Sequence, residues 1–255
     1  MSFDACAALV ERADPERFRA TMAAPVSARR ILFPLYAFNV EVARAPWVTQ
    51  EPMIAEMRLQ WWRDALEEIA TGGPARKHEV VDALAEVLDP EGAQLLDGLI
   101  AARRWDCYKD AFEDAAHFDS YIDATSGHLM WTAARLLGQA DETVVRDFAY
   151  GVGVANLLRA IPDLEERGRM PLLDGSAAGV AQLVTQAEVR VSKAVGQRTQ
   201  IGADAAPALY SGYLARPVLG QVRRDPGKVA RGALGLPPLR ERIRFARVAL
   251  RGWWV

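Results

Sequence analysis

Carboxylates repeating at every fourth position are the first residues in this chain whose spacing could do chemistry. Asp106, Asp110 and Asp114 would line one face of a helix, as a divalent-metal site requires. Lys109 and Glu113 share that segment, and Trp105 and Phe112 can serve a core, so the favoured reading is a solvated helix face. A second acidic cluster, Asp163, Glu165 and Glu166, lies between Pro162 and Arg167-Gly168-Arg169. The proline is expected to kink or end the preceding helix, leaving these carboxylates at its mouth in an ion network. His128 follows Thr125-Ser126-Gly127 without a Ser/Asp triad context and reads as a packing or hydrogen-bonding residue. Cys6 and Cys107 form no CxxC pair, and His78, His117 and His128 lack zinc-ligand spacing, which argues against a disulfide scaffold or a zinc site.

The elements that must position these residues read as helices. Val80, Val81, Leu84, Val87 and Leu88 form one stripe that Asp89-Pro90 stops, and Ile54, Met57, Trp61, Ala65 and Ile69 form another before Gly72-Gly73-Pro74. The spacing predicts further helices over about 93–114, 118–137, 142–161, 177–197, 205–222 and 238–251. The uncharged run Phe148 to Ala155 predicts a central core helix whose small residues permit close approach of a neighbour or a ligand. No alternating β-branched run carries hairpin punctuation, so strands are absent or trivial. Without a short repeat, this pattern predicts one all-α helical bundle spanning 1–255.

Composition narrows the function classes. The net charge is −2, with 31 Lys+Arg against 33 Asp+Glu, which gives no electrostatic reason to bind nucleic acid. The amino terminus lacks a basic stretch and meets Glu11 early, so neither a signal nor a transit peptide is read there, and a cytoplasmic location is expected. No apolar run approaches the roughly 18 residues of a membrane span. The carboxyl-terminal segment at about 238–251 is basic and amphipathic: Arg240, Arg244, Arg247 and Arg251 form one stripe, Leu239, Ile243, Ala246 and Leu250 lie alongside, and Trp253 and Trp254 follow. Such a helix suits an anionic membrane surface, and it equally suits a last helix docked on the bundle with its arginines in solvent.

Five fragments, in order, resemble the squalene/phytoene synthase family. They are Leu35-Tyr36-Ala37-Phe38-Asn39, Arg58 to Leu66, Trp105-Asp106-Cys107-Tyr108, Tyr121 to Gly127, and Asn156-Leu157-Leu158-Arg159. The resemblance implies an isoprenoid-synthase-type bundle. It also implies head-to-head joining of prenyl diphosphates held by magnesium on two aspartate-rich motifs. Here the chain departs from the family pattern. Val40, Ala43, Arg44 and Trp47 stand where the first motif carries its arginine and aspartates, and Ala160 and Leu164 replace the acids of the second. Asp163 is one position out of register.

Apolar groups supply no oxygen ligands, so the sequence predicts a protein without catalysis, metal or cofactor. One branch of the family, the assembly factors for respiratory complex I, shares the Leu-Arg-Ala-x-Pro pattern found at Leu158 to Pro162. That likeness implies a non-catalytic helper, peripheral at the inner membrane, with respiratory complex subunits as partners. Two alternatives stay open: an active prenyltransferase using magnesium, with Asp163, Glu165, Glu166 and Glu41 as substitute ligands, and a lipid- or quinone-binding module. The residues expected in a vestigial cavity are Tyr36, Phe38, Asn39, Glu41, Ala43, Arg44, Trp47, Asn156, Arg159, Ala160 and Asp163. Its wall should be apolar or cationic, with Trp47 partly filling it and Arg159 paired with Glu41 or with main-chain carbonyls.

Overall fold

A computed structural model describes residues 2–49, 51–73 and 76–255; Pro74, read above as part of a helix stop, lies outside them. Twelve α-helices occur among the described residues: α1 Ser2–Ala13, α2 Pro15–Met22, α3 Val26–Arg44, α4 Pro52–Thr71, α5 Glu79–Ala85, α6 Pro90–Arg104, α7 Ala115–Ile122, α8 His128–Leu137, α9 Glu142–Glu166, α10 Ala177–Gly196, α11 Ala215–Arg224 and α12 Pro238–Arg251. The one β-type pairing described is an isolated bridge between Ala140 and Ile201. The fold is all-α among the described residues. Its buried apolar residues form one contiguous core running from Cys6 to Trp253.

Local chemistry explains the boundaries. Asp14, Asp89, Asp114 and Asp141 each accept a backbone N–H in the first turn of α2, α6, α7 and α9, satisfying donors that a helix start leaves open. Gly72 ends α4 at φ 68°, a left-handed conformation that glycine adopts without strain.

Helix α9 is the centre of the bundle. A Cβ on Gly151 would lie 2.1 Å from Val191 of α10, and one on Gly153 would lie 2.9 Å from Ile122 and Ser126. The small residues therefore let neighbouring helices close in, as the uncharged run predicted. Between α7 and α8 the chain makes one π-helical turn, Asp123–Gly127. There the Ser126 hydroxyl donates to the Ala149 carbonyl of α9 at 2.8 Å.

Four expectations need correction. The predicted helix 93–114 ends at Arg104 and a 3-10 turn follows through Cys107, so Asp106, Asp110 and Asp114 share no helical face. They do not form a solvated ladder either, since Asp106 is buried and Asp114 caps α7. Pro162 neither ends nor breaks α9, which continues to Glu166; the residues after it keep helical pairing, and only the bond from its own missing N–H is lost. Asp163, Glu165 and Glu166 are thus on the helix, and among the described residues none of them enters an ion pair. In α4 the buried residues are Ala55, Leu59, Trp62, Ala65 and Leu66; of the predicted stripe Ala65 is buried and Trp61 and Ile69 pack partly buried against the core, while Ile54 and Met57 are exposed, so the face was read correctly toward the end of the helix and not at its start.

Candidate functional site

A cavity of about 590 Å³ opens among α2, α3, α6, α7 and α9. Of the residues expected there, Asn39, Ala43, Arg44, Trp47, Asn156, Ala160 and Asp163 line it. Tyr36, Phe38, Glu41 and Arg159 do not. Tyr36 and Phe38 are core residues, pointing inward from α3, and Phe38 packs edge-on against Trp62 at 5.5 Å between centroids. Glu41 pairs with Arg44 at 2.6 Å. Arg159 has found a carboxylate, though not the expected one: its two terminal nitrogens donate to both oxygens of Glu16 in α2, at 2.6 and 2.9 Å. That fork holds the Arg159 guanidinium charge above its usual strength, with burial opposing it.

The sequence reading missed the polar group on the opposite wall. Arg103 at the end of α6 donates to Asp106 and to the Tyr121 hydroxyl, both at 2.9 Å, and Tyr121 donates to Asp106 at 2.9 Å. Arg169 lies over Trp105, 4.4 Å from the ring centre, and approaches Asp106 to 3.8 Å. Burial disfavours the Arg103 charge, yet Tyr121 and Asp106 outweigh it, and the net effect is to hold the proton more tightly. Arg17 of α2 pairs with Asp14 at 2.6 Å and stands 5.5 Å over the Tyr36 ring. At the mouth, Arg167 covers Trp47 at 5.1 Å. Trp105, Asp106 and Tyr121 belong to the segments that carried the family resemblance, which was the available signal; Arg17 had none beyond its place in the first turn after Asp14-Pro15.

The cavity does not suit magnesium-assisted diphosphate chemistry. Val40, Ala43, Arg44, Trp47, Ala160 and Leu164 all face it, and none offers a carboxylate. Its acids are Asp14, Glu16, Asp106 and Asp163; the first three are engaged by arginines, and Asp163 alone is too few ligands. No group of three or more His, Cys, Asp or Glu is placed to hold a metal ion among the described residues.

His128 hydrogen-bonds through Nδ1 to the Leu95 carbonyl at 2.8 Å, in keeping with a structural role. On α12, Arg240, Arg247 and Arg251 are exposed, but Arg244 is half-buried and donates to the Tyr213 carbonyl at 3.1 Å. Burial, with Arg216 and Arg247 nearby, weakens its hold on its proton. Trp253 is 2% exposed and packs on Phe148 at 4.8 Å between centroids. Arg244 and Trp253 are therefore packing residues in this structure, not surface contacts, because the end of the chain folds back onto α9. Trp254 is half-buried beside Arg198.

A cavity ringed by helices of an all-α bundle is the arrangement of an isoprenoid-synthase-like protein. Residues 10–173 match the squalene/phytoene synthase family model, and the chain belongs to that family. A dehydrosqualene synthase crystal structure superposes with a TM-score of 0.78 at 14% identity, covering 97% of this chain and 95% of that one. Squalene synthase HpnC from Alicyclobacillus acidocaldarius gives 0.70 at 16% identity, covering 92% and 95%. Among curated proteins, the Drosophila melanogaster homolog of complex I assembly factor 6 is 31% identical over 166 residues, which is 62% of this chain and 50% of that protein. The human complex I assembly factor 6 is 24% identical over 161 residues, covering 62% and 48%. The chain thus spans about half the length of the curated relatives it matches.

Proposed function

We propose that this chain is a non-catalytic assembly factor for a respiratory membrane complex, acting from the cytoplasm as a peripheral protein at an anionic inner membrane. One observation carries the reading. The positions where the family's metal-binding acids would stand all face the cavity, and none of them carries a carboxylate. An enzyme that must neutralise departing diphosphate has lost its means of doing so. The likeness to proteins named as complex I assembly factor 6 supports the choice of partner. No helix is long and apolar enough to cross a membrane among the described residues, so attachment is assigned to the exposed face of α12.

Cells lacking the chain should accumulate less assembled NADH dehydrogenase complex on native gels, and both the wild-type chain and Asp163→Ala should restore it. The purified chain, given farnesyl or geranylgeranyl diphosphate and magnesium, should release no pyrophosphate. Normal complex levels in its absence, or steady turnover abolished by Asp163→Ala, would refute the proposal.

A further inference from the structure

Positive charge is gathered at one end of this chain. The net charge of the whole is −2, yet the stretch from Ala215 to Arg251 holds nine arginines and one lysine against two acids, Asp225 and Glu241. Among the described residues, only Arg223 and Arg231 of these cations enter ion pairs, with Glu188 and Asp225. Glu241 is held instead by Arg19 and the Tyr213 hydroxyl. Cations left without counter-charges repel one another, and a bound anion relieves that repulsion.

Three of these arginines come together where α11 meets α12. Arg216, in the first turn of α11, donates through Nη1 to the Trp254 carbonyl at 3.0 Å. Arg244 of α12 donates through Nε to the Tyr213 carbonyl at 3.1 Å, and the Tyr213 ring packs on Phe245 at 5.2 Å between centroids. Arg247 lies one turn further along α12. Burial and the neighbouring charges of Arg216 and Arg247 all weaken the hold of Arg244 on its proton, and no carboxylate opposes them. A lone surface arginine is simply solvated. Here two guanidinium groups are tied to main-chain carbonyls against their mutual repulsion, so their unused donors are already in position. Among the described residues, the terminal nitrogens of Arg244, the Nη2 of Arg216 and the whole guanidinium of Arg247 make no hydrogen bond.

We infer that Arg216, Arg244 and Arg247 form a binding site for the terminal phosphate of a phosphomonoester lipid, an assignment that rests on the reading of α12 as the membrane-facing helix and names the lipid it selects. A phosphomonoester offers three open oxygens and nearly two charges at neutral pH, enough for three guanidinium groups. A phosphodiester headgroup offers two open oxygens and one charge, and fills the site less well. The position favours a lipid over a soluble phosphate. At about 100° per residue, Arg247 lies between Arg244 and the outward crest of Leu239, Ile243 and Leu250, which are exposed. A phosphate held there sits at the edge of the face that would meet acyl chains.

Sedimentation of the full chain with two kinds of vesicle tests the site. Phosphatidylcholine vesicles doped with phosphatidic acid or with phosphatidylserine are matched in zeta potential, so that diffuse attraction is equal. Those with phosphatidic acid should bind roughly fivefold tighter. Arg216→Gln and Arg244→Gln should each abolish that preference while binding the phosphatidylserine vesicles as the wild type does. Arg216 is exposed, so its variant carries the test if Arg244→Gln fails to fold. Glycerol 3-phosphate, the soluble source of the same group, should compete only at concentrations far above those of the lipid. Equal binding to the matched vesicles, a preference that survives in the folded variants, or competition by glycerol 3-phosphate at lipid concentrations would overturn the site and leave the membrane reading standing. Absence of binding to either vesicle would overturn both.

Discussion

At the scale of single residues, Arg159 and Glu16 show how a cation on a central helix is matched next to a cavity whose walls carry no carboxylate at Ala160 or Leu164. Each is about 30% exposed, and the two are joined by a two-pronged hydrogen bond across 143 residues of sequence. Removing either partner leaves the other partly buried and unpaired, which should cost about 1–2 kcal/mol. Arg159→Gln or Glu16→Gln should therefore lower the melting temperature by roughly 2–4 °C per kcal/mol lost, while the double variant should lose little more than the worse single one. Strictly additive losses in that cycle would mean that the pair contributes nothing as a pair. That Arg159 needs a partner was legible in the sequence, because a cation on a core helix must be matched. Its partner was not, since Glu16 lies on a short helix whose approach to α9 depends on the whole bundle. Asp106 was misread for the same reason: its spacing from Asp110 and Asp114 is helical, but the helix stops before it, and burial among Arg103, Arg169 and Tyr121 is a tertiary event.

Single elements show the same limits at larger size. The helical character of nearly every segment was legible from periodicity, and α12 matches the predicted 238–251 at both ends. What periodicity could not supply is which face a helix turns inward when its neighbours are themselves amphipathic, and the first turns of α4, where Ile54 and Met57 are exposed, were misread on that account. For α12 the orientation matters to function. It docks through Phe245 and Val248, with Glu241 held by Arg19 and by the Tyr213 hydroxyl. Leu239, Ile243 and Leu250 are turned outward at 70%, 47% and 85% exposure. At about 100° per residue, these leucines and isoleucine form the crest of the free face, with Arg240, Arg247 and Arg251 on one flank and Arg242 on the other. Each of these arginines should add about 1 kcal/mol of attraction to an anionic surface, so replacing Arg240, Arg242, Arg247 and Arg251 with Gln should weaken sedimentation with phosphatidylserine liposomes by roughly a thousandfold. Salt should act in the same direction. Arg244→Gln, by contrast, should leave liposome binding close to that of the wild type and lower stability instead. Equal sedimentation of the four-fold variant with anionic and neutral liposomes, at wild-type levels, would show that the helix is a packing element alone.

Over the whole molecule, the architecture is shared with synthases whose sequences differ at most positions. Superposition on the dehydrosqualene synthase covers 97% of the chain at 14% identity, so the bundle tolerates wholesale replacement provided that helix length and close approach survive. The glycines of α9 meet that second condition. Burial pushes the Cys6 thiol up to about 12 and the Cys107 thiol up to about 11, which favours the protonated form of both at neutral pH. The burial of Trp253 against Phe148 has an optical consequence. Its indole, in an apolar setting with Nε1 unpartnered, should emit at short wavelength, and subtracting the spectrum of Trp253→Phe isolates that light from the other six tryptophans of the seven. If α12 meets a bilayer while still docked on the bundle, the isolated emission should keep its colour and stay beyond the reach of bromine quenchers on the lipid chains. If the helix peels away to insert, the same indole should be dimmed by those bromines. The molecule thus carries a built-in lamp that tells a protein resting on a membrane from one that has unfolded its last turn into it.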